Sequence, residues 1–526
     1  MEFEIAGIFS RSITIERDNN DRFETEDECI VSVNGKEYAR TKRNVITIDG
    51  LKPSNKYDIS ICKEGKNDYN MHTVQTRPES FLLNVRSFGA AGDGVHNDTS
   101  AIQAAVMGCP DDGTVYVPAG TYLTGPIFLK SHMTLWIDEG AVLLGDTERG
   151  NYPVLPGMVR DMYDNSREYN LGSWEGNPLD SFASLITAVN AEDISIVGRG
   201  TVDGNAPNSD WWVEAKKKRT AWRPNLVNFI RCKNIRMQGL TLKNSACWCI
   251  HPYYSESLSF LDLTIQNPSD SPNTDGFDPE SCEDVCLLGT TISVGDDCIA
   301  LKSGKLYMAK YHHRETKNVT IRNCRLEKGH GSVTIGSEIA GGVSNVHVSR
   351  CIFAGTDRGV RIKTRRGRGE KSILTDLLFE NISMDHVHMP LTVNMFYFCD
   401  PDGHTEYVQS RDAYPVDYRT PGIGSITVKD ADCTGVDASF VCVMGLPEAP
   451  VEKISLENIK VSYLEEDKRV PQRPVMMDDF PEMSGRSIFL KNVNEIDIKN
   501  VSIDGSVDDD ITLENVSTRQ IDGLHM

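Results

Sequence analysis

A short pattern returns along most of the chain: a polar pair, an apolar residue, a small or polar one, then a second apolar one. It reads Glu192-Asp-Ile-Ser-Ile, Lys233-Asn-Ile-Arg-Met, Glu256-Ser-Leu-Ser-Phe, Glu283-Asp-Val-Cys-Leu, Lys317-Asn-Val-Thr-Ile and Ser344-Asn-Val-His-Val, and it recurs at Thr375, Glu452 and Asn494. The central apolar residues at 235, 258, 285, 319 and 346 are 23, 27, 34 and 27 apart. A period of this length marks a solenoid, in which each repeat buries its apolar face only against its neighbours. Apolar residues two apart, with Asn and Gly between short runs, mark strands rather than helices. The expected fold is therefore all-β, a parallel β-helix.

The 526 residues are enough for several ordinary domains, or for one small domain followed by a long solenoid. The first 78 residues read as a separate small domain. Ile46-Thr-Ile-Asp-Gly-Leu-Lys-Pro-Ser-Asn-Lys-Tyr57 alternates apolar and polar residues and breaks at Gly and Pro. Leu51, Pro53 and Tyr57 are spaced as in a fibronectin type III β-sandwich, with Tyr57 as its tyrosine corner. This unit carries no acid/base cluster, so it is expected to be structural, a spacer or part of a binding wall. Residues 82–526 form the second domain. Asp98 is expected to cap a helix over about 99–107, with Ile102 and Val106 on one face, and Gly113–Ile127 reads as two short strands around a turn.

Composition, 39% hydrophobic and 25% charged, is that of a soluble globular protein, and no apolar run approaches the ~18–20 residues that span a bilayer. The net charge of −21 argues against nucleic acid as a partner. Yet Arg358 to Lys371 holds seven Arg or Lys residues and one acid, an island that could capture an anionic ligand locally. The 14 cysteines lack paired metal-type spacing, and Cys286, Cys298, Cys324 and Cys351 sit in strand-like runs, which suits buried thiols in a reducing compartment. Met1-Glu-Phe-Glu shows no basic and then apolar leader, so a cytoplasmic location is expected; a chain trimmed at its start would instead be secreted.

Chemistry concentrates in residues 273–304, where Asp275, Asp278, Asp296 and Asp297 lie among apolar runs. Asp296 and Asp297 stand between Ile292-Ser-Val and Cys298-Ile-Ala-Leu. Adjacent carboxylates among strands repel, and burial disfavours their charged forms, so at least one pKa is expected to rise, as a general acid requires. A solvated Asp-Asp turn would read the same way in isolation. Further on come Gly329-His330-Gly331 and Arg361-Ile-Lys363, whose cations share one strand face. Counted from each coil's apolar residue, Asp275 lies 17 on, Asp296 and His330 each 11, Arg361 15 and Lys363 17. All fall late in four successive coils, so stacking at ~4.8 Å would line them up on one face.

The ordered set Asn273-Thr-Asp275, Gly295-Asp-Asp297, Gly-His330-Gly and Arg361-Ile-Lys363 resembles the polygalacturonases, glycoside hydrolases of pectin, and the resemblance runs over roughly 82–526. It implies a right-handed β-helix whose first coil is covered by a helix, and hydrolysis of α-1,4 galacturonosidic bonds with inversion and no cofactor. Asp296 would be the general acid, and Asp275 and Asp297 would activate and position water. His330 would hold the acid's protonation state. Asn273 would orient sugar or carboxylate, and Arg361 and Lys363 would bind the galacturonate carboxylate. The partner would be polygalacturonate or its oligomers. Irregular stretches at 147–183, with Trp174, and 395–425, with Tyr397, Tyr407, Tyr414 and Tyr418, are expected to form sugar-contacting walls. Trp211-Trp212 after Asp203-Gly-Asn also matches the family. Walls that close one end of the groove imply exo attack, which a cytoplasmic enzyme meeting only imported oligomers would use. Alternatives are a lyase using the acids to hold Ca²⁺, a hydrolase of substituted or rhamnose-containing pectin, and a non-catalytic carbohydrate-binding solenoid.

Overall fold

The computed structural model describes residues 2–63, 70–163, 168–507 and 510–526. Its larger part is a stack of coils, each contributing up to three short strands to three parallel faces. One coil runs Glu283–Leu288, Thr291–Ser293, Asp297–Leu301; the next runs Thr316–Arg322, Arg325–Glu327, Gly331–Ile335; the next Val343–Ser349, Ile352–Ala354, Arg358–Lys363. The apolar residues that set the repeat in the sequence are direct neighbours in register: Ile235 pairs with Leu258, then Val285, Val319, Val346 and Leu377. Inside, they form one continuous apolar column.

The polar pair has a backbone cause. Its second residue turns the chain into the first strand with a left-handed backbone: φ is 57° at Asn234, 56° at Ser257, 57° at Asp284, 57° at Asn318 and 51° at Asn345. Asn and Asp are the non-glycine residues that tolerate this region best. Their amides also stack from coil to coil, Asn345 Nδ2 donating to Asn318 Oδ1 at 2.8 Å and Asn318 Nδ2 to Asp284 Oδ1 at 2.9 Å. The repeat is thus read twice, by burial and by turn chemistry.

The helix Thr99–Gly108 covers the first coil with Ile102, Ala105 and Val106 buried. Asp98 precedes it but makes no side-chain cap. Its carboxylate accepts instead from the main-chain N–H groups of Ala91 (2.7 Å) and Gly92 (2.9 Å), tying the turn before the helix.

The first residues fold as two antiparallel sheets. Phe3–Ile8, Ile13–Arg17 and Val45–Ile48 form one; Lys36–Arg43, Glu24–Val33, Lys56–Lys63 and Asn70–Gln75 form the other. Ile13, Ile15, Val31, Ile59 and Ile61 fill the space between. This unit lies lengthwise on the solenoid, along the ends of the first strands of successive coils. Val197, Gln238, Leu261, Leu288 and Arg322 occupy equivalent positions there. Phe9 and Val45 pack on Val197, Leu261 and Leu288. Gln238 bonds Ser12 and Thr14, and buried Glu16 receives Arg322, Asn323 and Arg350 at 2.6–2.8 Å.

Candidate active site

The chain enters the third strand of each coil through a short loop, and the chemistry sits at that entrance. Asp275, Asp296 and Asp297 come from two successive coils, and an oxygen of each lies within 4.8 Å of an oxygen of the others. Asp275 and Asp297 are buried and Asp296 is half-buried.

Asp297 begins the strand Asp297–Leu301, and its carboxylate reaches two coils onward. Its Oδ1 accepts from Arg361 Nη1 and its Oδ2 from Lys363 Nζ, both at 2.8 Å. The intervening coil must leave room, and Gly331 does so: a Cβ there would stand 2.7 Å from Asp297 Oδ1. Gly329, the other glycine of the Gly-His-Gly, has φ +81° and would meet the Asp296 carbonyl at 2.3 Å. The motif's glycines thus let the chain pass close to the acids. The sequence assigned Arg361 and Lys363 to substrate; both line the cavity, and both also pair with Asp297.

The charge balance follows. Burial opposes ionisation of Asp297, but Lys363 and Arg361 outweigh it and hold this carboxyl far below the usual range. Asp275 is raised well above that range, by burial first, then by Asp278 and Asp296. Asp278 rises likewise through burial, opposed by Lys302. Asp297 does not show the rise expected of an acid among strands, because it has its own two cations, whereas Asp275 does.

His330 does not bond Asp296 through its ring. Its main-chain N–H donates to the Asp296 carbonyl (3.1 Å), while Nδ1 pairs with Asp357 Oδ2 at 2.7 Å. That pairing raises the imidazole pKa. Asn273 faces the site with its Oδ1 accepting from Arg223 Nη2 at 2.6 Å.

Lys302, Glu338 and Asp357 escaped sequence reasoning. Lys302 is buried, with Nζ 3.1 Å from Glu338, 3.6 Å from Asp278 and 4.4 Å from the Trp248 ring centre. The available signal was a lysine closing the apolar run Ile299-Ala-Leu, and an acid closing Gly331–Ile335. For Asp357 it was the same place, just before a third strand, that Asp296 and His330 occupy.

Asp275 and Asp296 line a cavity of about 540 Å³, with Asp297 behind them. Glu175 reaches it from the first irregular stretch, Tyr397 to Asp400 from the second, and Arg473 and Met476 from a loop the sequence did not single out. The aromatic walls are only partly as expected. Tyr397 lines the cavity, but Tyr407 and Tyr414 pack against each other and under Arg419 and Arg366. Tyr418 is largely exposed. Trp174 stacks on Trp222 with Arg223 beside it, and Trp211 packs on Tyr152 and Phe182. The basic island is likewise mostly internal: Arg365 pairs with Asp400 and Asp402, Arg366 with Glu448, Arg368 with Asp400. None of the residues lining this cavity belongs to the N-terminal unit.

Residues 159–475 match the model of Glycosyl hydrolases family 28, and residues 82–189 match one described as Rhamnogalacturonase A/epimerase, pectate lyase-like. A probable polygalacturonase of Vitis vinifera is 31% identical over 73% of this chain and 75% of its own. An exo-poly-alpha-D-galacturonosidase of Dickeya chrysanthemi is 25% identical over 73% of this chain and 69% of its own. In fold, the family 28 exopolygalacturonase of Yersinia enterocolitica matches with a TM-score of 0.73 at 18% identity, over all of this chain and 98% of that one. The family match spans all seven residues singled out in the sequence, from Asn273 to Lys363, and on that ground the chain belongs to family 28 of the glycosyl hydrolases.

Proposed function

We propose that the enzyme hydrolyses the α-1,4 bonds of galacturonan from a chain end. The observation that carries the exo reading is the walled cavity of about 540 Å³, a volume within the range of small-ligand pockets. Its wall is built in. The turn Trp174–Asn177 closes on itself through paired main-chain bonds of 3.0 and 3.1 Å, and Gly176 O accepts from Lys305 N–H. Lys305 in turn pairs with Asp400 at 2.8 Å, joining the two irregular stretches across the site. Exo- and endo-acting enzymes both occur among the relatives, and the wall supports the exo reading.

In this reading Asp296 protonates the departing oxygen and Asp275 and Asp297 hold the attacking water. The carboxylate oxygens stand closer than the roughly 6.5–9.5 Å carboxyl separation usual for inversion. Three carboxylates, rather than two, share the space, and inversion rests on the family resemblance; anomer-resolved NMR of the first product would show the β form. Arg361 and Lys363 line the cavity as cations for the galacturonate carboxylate, and Lys216 and Arg473 are further cations on the same lining. The lyase alternative needs the acids to hold Ca²⁺, and Asp297 already has two cations at 2.8 Å.

A cytoplasmic location is supported by the burial of free thiols such as Cys249, Cys282 and Cys298; fractionation of the native host tests it. The reading of residues 1–78 as fibronectin type III-like is supported by its paired sheets and by the Tyr57 hydroxyl, which accepts from Lys52 N–H at 2.8 Å, as a tyrosine corner does.

Product analysis over time tests the exo reading. Monomer or dimer alone from the start, with slow loss of viscosity, is expected on polygalacturonate. A ladder of intermediate lengths with a fast viscosity drop would overturn it.

A further inference from the structure

The place just before the third strand carries a charged or titratable side chain in coil after coil. Asp297 pairs with Gly331 in register, so Asp296 and His330 occupy equivalent positions. Val333 pairs with Val360, which makes His330 and Asp357 equivalent. Arg358 pairs with Met389, which does the same for Asp357 and His388. Leu391 pairs with Val441, leaving Asp437 one residue before the next equivalent place. Main-chain bonds hold the row coil by coil: His330 N–H to Asp296 O, Asp357 N–H to Gly329 O, His388 N–H to Thr356 O. The side chains join in pairs, His330 Nδ1 to Asp357 Oδ2 at 2.7 Å and His388 Nδ1 to Asp437 Oδ2 at 2.8 Å. The row Asp296, His330, Asp357, His388, Asp437 alternates acid and imidazole along one edge of the solenoid.

We propose that Asp357 is the positioning residue of His330: it fixes the ring with Nδ1–H bound and turns Nε2 away from itself, beside Asp296. No substrate contact by Asp357 is required for this.

The surroundings support it. Asp296 and Asp297 face the ring from the coil before, and Asp357 from the coil after, with Arg358 and Arg361 on that same coil. The direct hydrogen bond is the largest influence and favours the cation, ahead of burial, which opposes it. Asp357 itself stays ionised: burial works against this, but His330, Arg358 and His388 lower its pKa. His388 is held in turn by Asp437, the most buried member of the row. An Asn at position 357 would keep the size while removing the charge.

The arrangement resembles a histidine oriented by a carboxylate behind it, a recurring way to set a ring's tautomer and orientation. Here the solenoid supplies it by stacking: a carboxylate one coil onward lies within reach because the coils are ~4.8 Å apart.

The test is Asp357→Asn in the full chain, with two readouts. The first is the His330 imidazole titration by NMR in free enzyme, assigned with His330→Gln. This arm does not depend on the substrate reading, so its failure is separable from failure of the exo-hydrolase assignment. The second is the pH dependence of kcat and KM on galacturonate oligomers. The expected result is a midpoint of the His330 titration lower by about one pH unit, as loss of an adjacent opposite charge gives. The alkaline limb of kcat should move down in parallel with KM little changed, and Asp357→Glu should restore part of both. An unshifted His330 titration would overturn the proposal. So would a loss carried entirely by KM with an unmoved pH profile, which would make Asp357 a substrate contact instead.

Discussion

At the scale of single residues, the site separates three carboxyls that sit almost together. Asp297 is held anionic by two cations, and Asp275 is pushed toward its protonated form by burial and its neighbours. The signs differ, and so do the consequences for stability. Asp297 lowers its folded-state pKa, so its contribution is present above the unfolded value of about 4 and is lost only in strong acid. Asp275 raises its folded-state pKa, so ionisation of the unfolded chain favours unfolding from about pH 4 upward. Asp275→Asn should therefore raise Tm at pH 7, leave it unchanged below about pH 4, and abolish most turnover. A scan of Tm against pH checks this; a variant less stable than wild type at pH 7 would show that Asp275 is held by contacts its ionisation does not disturb.

At the scale of elements, the basic run from Arg358 to Lys371 is a clasp. Its arginines draw the stretch around 400–412 and the loop at Glu448 onto the coils. Arg366 and Glu448 are almost wholly buried, 1% and 4% exposed, and the guanidinium also donates to the carbonyls of Ser410 and Asp412. Removing one partner of a buried pair leaves the other charge uncompensated, at a cost of roughly 3–5 kcal/mol. Glu448→Ala should lose about that much in chemical denaturation, with product pattern broadening toward longer oligomers if the wall loosens with it. The sequence showed the basic run plainly but not its partners. Those lie 32 to 82 residues away, and only the path of the folded loops brings them together. The same reason hid Asp357. Its neighbours Thr356 and Arg358 look like any strand entrance, and its meaning appears only once register places it beside His330.

At the scale of the molecule, the solenoid was legible because its repeat is enforced twice, by an apolar residue facing inward and by a polar residue with a left-handed backbone before it. The four motifs were legible because they fall at or near the third strand of consecutive coils. What stayed hidden were the loops between coils, which follow no repeat and yet supply Glu175, Tyr397 and Arg473 to the cavity. Also hidden was the seat of the N-terminal unit, which depends on matching two surfaces distant in sequence. Buried Glu16 is its main polar anchor, taking three donors from two coils. Glu16→Ala should lower Tm by several degrees, because Arg322 and Arg350 lose their carboxylate, and should leave KM unchanged, because that face is not the one that bears the acids. Melting curves beside oligomer kinetics decide it; a raised KM would mean that the unit reaches the substrate after all.

We propose that stacked coils bring Asp296 to the scissile bond as a general acid, a role that the turnover of Asp296→Asn reports. The substitution keeps the side chain's size. With Asn there, kcat on galacturonate oligomers is expected to fall roughly 10²–10⁴-fold, the usual contribution of a general acid, while Tm and product binding stay near wild type. Turnover close to wild type in a folded Asp296→Asn enzyme would contradict it.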